Sequence, residues 1–368
     1  MSESGIFDIT KARLLPIVSN VTSEKVDNFS IRFDHQKTSP NGIMGEYLIP
    51  TITCQTESGD TLEFTLFVRR RKRADEGRLQ AHHYAFLSKN GVPIPRLYGV
   101  LSDNQGREVL FLEHLDEFAV SDAAFYEDAN TLTKYLEIMA KFNSVKPTVE
   151  YAADVGRNMA DRDFTMNWKT WLPWSIYVLD HVEKYAEKHL LGEQIMRFCQ
   201  SNQAEIKILK RIALKLIHVV PNLPVGLIHG DFLPGNMGWR RNPRELVVFD
   251  FEDILFDTRL YDIAFVLGGW DIEGKHSAKQ HDLAEIYLNT YFHCGGSTIG
   301  MGDFIREITL VWYARKLNLW EYFPPDLLNA PSYESGMPGN TRQARLDLLY
   351  KNISMLVTKM AHIGSLIR

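Results

Sequence analysis

Cysteine is scarce and irregularly placed: the 368 residues include three, Cys54, Cys199 and Cys294, far apart and with no CxxC pair. An odd count without that pairing excludes a disulfide framework and lends no support to a zinc site, so the thiols read as those of a reducing compartment. No run of about 18 apolar residues, the length a membrane-spanning helix needs, occurs in the sequence. The start, MSESGIFDITKARLL, lacks a positive segment followed by an apolar one, so a cytoplasmic protein is expected. Basic residues are not in excess either. With 41 Lys and Arg against 46 Asp and Glu, a formal net charge of -5 and a pI near 6.2, the chain has no general electrostatic reason to bind nucleic acid or an anionic membrane. Internal repeats and low-complexity segments are absent.

What is present is the balance of an ordinary globular protein, 45% hydrophobic and 24% charged, in a chain too long for one small core. Between 24 and 115, stretches rich in β-branched and aromatic residues (FSIRF, EYLIPTITCQ, TLEFTLFV, PRLYGVLS, EVLFLEHL) alternate with turn residues. This pattern predicts a five-stranded antiparallel sheet. One helix interrupts it, EGRLQAHHYAFLSKNG, with Gly91 at the expected C-cap and Pro93 beyond. After Asp116 the periodicity becomes helical, for example in TLTKYLEIMAKFNSV, in the stretch from Glu187 to Val220, and over 278–291, 304–322 and 341–367. Residues 324–340 read as one long loop. The expected fold is α+β, with a small β-rich lobe (1–115), a larger helical lobe (116–368) and a ligand-binding cleft between them.

The chemistry concentrates in HGDFLPGN, residues 229–236, and in the apolar run ELVVFDFED that follows. Asp231 and Asn236 are five apart with Pro234 and Gly235 between them, which favours a tight loop on which both side chains converge. That interval is the one at which a kinase catalytic loop places a base and a Mg2+ ligand. Asp250, at the end of the next strand, would supply the carboxylate that a hard, oxygen-seeking cation needs beside water and phosphate oxygens. Taken alone, Asp231 and Asn236 also suit a loop whose side chains cap backbone groups.

HGDFLPGNMGW followed by VVFDFEDILFDTRLYDIA, within residues 229–264, resembles the signature pair of the aminoglycoside phosphotransferase and choline kinase superfamily. These are small-molecule kinases of protein-kinase-like fold. The order of elements before the motifs extends the resemblance over most of the first 270 residues. The resemblance implies Asp231 as catalytic base, Asn236 and Asp250 as metal ligands, His229 as a brace of the loop and Asp262 as a structural acid. Phe67 would cover adenine, Gly42 and Gly45 would belong to a phosphate-covering loop, and Glu113 to Leu115 would form the hinge whose backbone meets the base. The pattern departs in one place. Arg69, or Arg70 one residue on, stands for the phosphate-clamping lysine, and Gln80 for its helix glutamate, although an arginine fork suits phosphate well.

Asp262 follows Asp250 by only twelve residues, no APE-like sequence appears, and Leu233 stands where protein kinases usually carry a lysine; a small hydroxylated acceptor is therefore expected. Trp168, Trp171 and Trp174, at spacings of three, fit core packing and also an aromatic cage for a quaternary ammonium. The resemblance implies an ATP- and Mg2+-dependent phosphotransferase, with GTP an open alternative as donor and the oligomeric state not legible. The Arg and Gln departure motivates the competing reading, a kinase-fold protein that binds a ligand or partner with little or no transfer activity.

Overall fold

Proline and glycine decide where the strands break. The computed structural model describes residues 6–33, 46–70, 78–115, 128–160, 168–187, 192–269, 277–318 and 342–367. Within them β1 (Val26–Phe33), β2 (Glu46–Leu48), β3 (Pro50–Thr56), β4 (Thr61–Arg70), β5 (Leu97–Ser102) and β6 (Glu108–Glu113) form one antiparallel sheet in the order β1-β3-β4-β6-β5, with β2 also on β4. Five strands are expected from the sequence and six are found, because EYLIPTITCQ is two. β2 pairs with the end of β4, Leu48 opposite Val68, and β3 with its middle, Thr51 opposite Thr65. The break falls at Ile49 and Pro50, where the proline has no N–H to give the ladder.

One face of this sheet is covered by a helix that the alternation between 24 and 115 does not reveal, α1 (Lys11–Thr22). Its Leu14, Ile17 and Val18, with Ile6 and Ile9 before it, pack on Val26, Phe29, Ile52, Leu66, Val68, Val109 and Phe111. The approach is close: a Cβ at Gly99 would lie 2.0 Å from the Ile17 Cδ1, so a larger residue there would make the tip of the Ile17 side chain shift. α2 (Arg78–Lys89) lies where its periodicity predicts. It ends on Gly91 at φ 68°, with the Val92 N–H donating to the Leu87 carbonyl at 3.0 Å.

The described chain falls into two compact units: 1–138 with 147–158 and 231–253, and 139–146 with 159–230 and 254–368. The sequence reading divides the chain at 115. In the structure the segment 231–253 instead clusters with the sheet, tied by bonds such as that from the Val248 N–H to the Pro93 carbonyl, 3.0 Å, and by Phe251 packing edge-on against Tyr84 of α2.

The helix α3 (Ala129–Ser144) gives residues to both units, as does α4 (Val149–Ala160). The second unit holds α5 (Trp168–Glu187), α6 (Gly192–Ser201) and α7 (Gln203–Val219), the pair β7 (Val225–Ile228) and β10 (Leu255–Thr258), and then α8 (Tyr261–Leu267), α9 (Ser277–His293), α10 (Met301–Lys316), α11 (Arg342–Thr358) and α12 (Met360–Leu366). The helical stretch predicted up to Val220 breaks at Asn202, and the one predicted over 341–367 breaks at Lys359. α10 is buried at eight consecutive positions, Glu307 to Ala314, with Phe304 before them, which leaves it no wet face over that run. It crosses α8 so closely that a Cβ at Gly268 would lie 2.7 Å from the Trp312 Cβ. Residues 319–341, including the whole of the predicted loop, lie outside the described residues.

Candidate active site

Asp231, Asn236 and Asp250 are brought together by one hairpin. β8 (Met237–Arg240) pairs with β9 (Glu245–Val248), Met237 opposite Val248, and the Phe249 N–H donates to the Asn236 carbonyl at 3.0 Å. Asn236 therefore sits across the ladder from the residue before Asp250. Between Asp231 and Asn236 the chain turns tightly. The Leu233 N–H donates to the Asp231 carbonyl at 2.8 Å, and residues Pro234–Asn236 form a single 3-10 turn. The Asn236 Nδ2 donates twice, to the Asp231 carbonyl at 2.8 Å and to its Oδ2 at 2.9 Å. The amide nitrogen thus faces Asp231, which leaves the Asn236 Oδ1 as an acceptor without a donor among the described residues. Phe232 is buried against Tyr135 of α3, ring centroids 5.5 Å apart and nearly perpendicular, and the Tyr135 hydroxyl donates to the Phe232 carbonyl.

Asp250 has φ 67°, a left-handed backbone that a non-glycine residue adopts at a cost. Its Oδ1 accepts from the Arg69 Nη1 at 3.1 Å, with the two side chains 26% and 15% exposed. This contact separates the two arginines. Successive residues of β4 point to opposite faces, and Arg70 turns away from Asp250. It pairs with Glu46, lies 3.5 Å from the Asp103 carboxylate and stacks over the Phe7 ring at 4.3 Å. Phe67 shares the face of Arg69 and stacks on Tyr47 at 5.5 Å. Gln80 is buried on α2, one turn before Tyr84, whose ring meets Phe251 beside Asp250.

Glu113 ends β6 with its side chain already engaged. The Arg240 guanidinium grips it at 2.8 Å (Nε to Oε1) and 2.7 Å (Nη2 to Oε2), and the Arg96 N–H donates to it at 3.0 Å. Burial works against the charge on Arg240, but the carboxylates of Glu113 and Glu245 outweigh it and raise its pKa. Leu115 is buried at 1% exposure, whereas Glu113 and His114 are half-buried. Gly42 and Gly45 lie outside the described residues.

In the second unit, Asp262 gives both oxygens to donors: the His229 N–H at 2.9 Å, the Gly230 N–H at 3.0 Å and the Asn143 amide at 2.9 Å. Burial pushes its carboxyl above the usual range, opposed by His229 and these hydrogen bonds. Asn143 is itself fixed by donating to the Leu227 carbonyl and accepting from the Tyr287 hydroxyl. Gly230 takes φ 86° directly before Asp231. In α5, Trp174 stacks on Tyr177 at 5.2 Å. Asn143, Tyr287 and Arg240 escaped the sequence reading; the only signal was a lone polar residue in or beside an apolar run.

The oxygens in the hairpin suit a divalent cation. The Asn236 Oδ1 and the Asp250 carboxylate are hard acceptors on adjacent rungs. No group of three or more His, Cys, Asp or Glu converges among the described residues, so water and phosphate oxygens would complete the shell, as Mg2+ prefers. Among those residues no helix is long and apolar enough to cross a membrane.

Residues 51–292 match the phosphotransferase enzyme family, which is most of the chain. The protein belongs to that family, within the aminoglycoside phosphotransferase and choline kinase superfamily. No curated protein sequence matches it. Among solved structures it is similar to an aminoglycoside 2'-phosphotransferase-IIIa in complex with GDP, at 15% identity and TM-score 0.52, covering 92% of this chain and 96% of that one. That likeness shows an α+β, kinase-like fold. An ethanolamine kinase from Plasmodium vivax aligns at 14% identity and TM-score 0.48 over 87% and 82% of the two chains. An aminoglycoside phosphotransferase from Alicyclobacillus acidocaldarius aligns at 13% and 0.49 over 100% and 98%.

Proposed function

We propose that the protein is a Mg2+-dependent kinase that moves the terminal phosphoryl group of ATP or GTP to a hydroxyl of a small molecule in the cytoplasm. The observation that carries this reading is the hairpin register, which sets Asp250 on the rung beside Asn236, itself bonded to Asp231, with Arg69 on Asp250. Asp231 accepts the acceptor's proton as its oxygen bonds to the phosphorus; the bond from phosphorus to the bridging oxygen breaks, and the nucleoside diphosphate leaves. Asn236 orients the Asp231 carboxylate through its amide and presents its own oxygen to the cation, beside Asp250. Arg69 draws in the phosphates, exchanging one carboxylate oxygen for phosphate oxygens. Bound Mg2+ neutralises phosphate charge and polarises the transferring group. The backbone of Glu113 to Leu115 receives the base, Phe67 covers it, and Gly42 and Gly45 belong to the phosphate-covering loop. Residues 1–115 supply nucleotide contacts, and 116–368 supply the catalytic residues and the acceptor site. The rest is positioning.

A ligand-binding protein without transfer activity is the second reading, favoured by the loss of the lysine and glutamate pair and by the ion pair that Arg69 makes with a metal ligand. Calorimetric titration of ATP and GTP with and without Mg2+, repeated on Asp250→Asn, decides between them. Mg2+-dependent binding that the variant loses supports the kinase. Absence of nucleotide binding by the folded wild type refutes it.

A further inference from the structure

We infer that the Arg240–Glu113 pair is a positioning device that fixes the distance between the seat of the nucleotide base and the seat of its phosphates. The inference rests on the nucleotide reading above and adds a residue to it, Arg240, which touches neither end of the nucleotide.

The geometry is that of a short arm held at both ends: at one by this pair, and at the other by the Val248 N–H on the Pro93 carbonyl and by Arg69 on Asp250. β8 and β9 run side by side for four residues each, a span of about 13 Å at strand rise. At one end stand Asn236 and Asp250. At the other end stands Arg240, opposite Glu245. The Arg240 guanidinium leaves almost no donor unused: Nε and Nη2 take the two oxygens of Glu113, Nη2 also takes the Ile94 carbonyl at 2.8 Å, and Nη1 takes Glu245 at 2.5 Å. Glu113 is bound from its own side too, since the Arg96 N–H donates to its carboxylate and its own N–H donates to the Arg96 carbonyl at 2.9 Å. The pair therefore fastens the hairpin to the end of β6 and the start of β5 together.

Stability alone does not call for this chemistry. The two side chains are 11% and 14% exposed, and a mostly buried ion pair gives little or no net stability over apolar side chains of similar volume. What a bidentate fork adds is a fixed distance and angle. The fastened point is the segment proposed to receive the base, and the far end of the arm carries the groups proposed to hold the cation and phosphates. A nucleotide that spans both gains from the two contacts in proportion to how rigidly they are spaced, because the second is made at high effective concentration. A nucleoside, which reaches only the base seat, gains nothing from the spacing.

The test compares nucleotide with nucleoside in the full chain. Dissociation constants are measured by calorimetry for ATP and GTP with Mg2+, and by competition against them for adenosine and guanosine, so that a weak nucleoside is still read. The proteins are the wild type, Arg240→Lys, which keeps the charge and loses the fork, Arg240→Met, and Glu113→Gln, each compared by thermal unfolding. The inference expects triphosphate affinity to fall about tenfold or more in Arg240→Lys while nucleoside affinity stays within about twofold. A parallel fall of both ligands would show a merely structural support of the base seat and overturn it. Unchanged affinity for both in folded variants would overturn it as well. A wild type that binds no nucleotide sinks the kinase reading itself, and is told apart because no variant is involved.

Discussion

Asp250 keeps one carboxylate oxygen on Arg69, holds its backbone at φ 67° and is 26% exposed, whereas Asp262, twelve residues on, is 2% exposed and gives both oxygens to N–H donors. The two acids belong to one sequence signature and differ in what surrounds them. A carboxylate saturated by backbone amides can hold a loop but has no oxygen left for a ligand. One with unused oxygen on a strained backbone is available for chemistry, and strain of this kind persists only where the surrounding structure over-determines it. Asp231 resembles Asp250 in this respect: its Oδ2 takes the Asn236 amide, and its Oδ1 has no donor among the described residues.

The comparison breaks if the available acids prove structural or the saturated one chemical. The largest effect is expected at Asp231. Asp231→Asn should cut turnover roughly 100- to 10,000-fold with nucleotide binding largely kept, once an acceptor is found by screening hydroxylated metabolites and antibiotics; normal turnover would remove Asp231 as the base. Next comes Asp262→Ala, which strands the two backbone N–H groups and the Asn143 amide. Urea unfolding should register a loss of about 3–5 kcal/mol, and a loss below about 1 kcal/mol would contradict the saturated reading. At Asp250 two effects oppose. Asp250→Gly relieves the left-handed backbone and takes a carboxylate from the mostly buried Arg69, so stability should change by no more than about 1 kcal/mol while Mg2+ dependence of nucleotide binding disappears. A glycine variant destabilised by more than that would place Asp250 among the structural acids.

The smallest effect is a pH dependence. Because burial raises the Asp262 carboxyl, between the ordinary carboxylate range and its native value the folded state binds more protons than the unfolded one. Its contribution is therefore full below the ordinary range and is lost as pH rises through the native value. Unfolding free energies of wild type and Asp262→Asn, compared across pH, should shift in favour of the variant as pH rises. A flat difference would mean that the N–H donors cancel the burial.

Local pattern was enough for the alternation of the strands, the helix ended by Gly91, and the tight loop from Asp231 to Asn236, because each depends on residues near one another in sequence. The extra strand was hidden because Pro50 interrupts a run that reads as continuous. α1 was hidden because its apolar face is defined only by the sheet it covers, and the close fit at Gly99 involves Ile17, far away in the chain. At the candidate site the same division holds. The residue types at 231, 236 and 250 were legible; the choice between Arg69 and Arg70 was not, since it depends on which face of β4 meets the hairpin.

The sequence by itself determined the α+β pattern, the family signature and the list of chemically competent residues, because these follow from residue type and spacing. Only the tertiary structure decided which arginine meets Asp250, which acid is saturated and that Arg240 grips Glu113. Each of these is a pairing between segments separated by roughly 30 to 180 residues, and such a pairing exists only once burial has selected one register and one face for every strand.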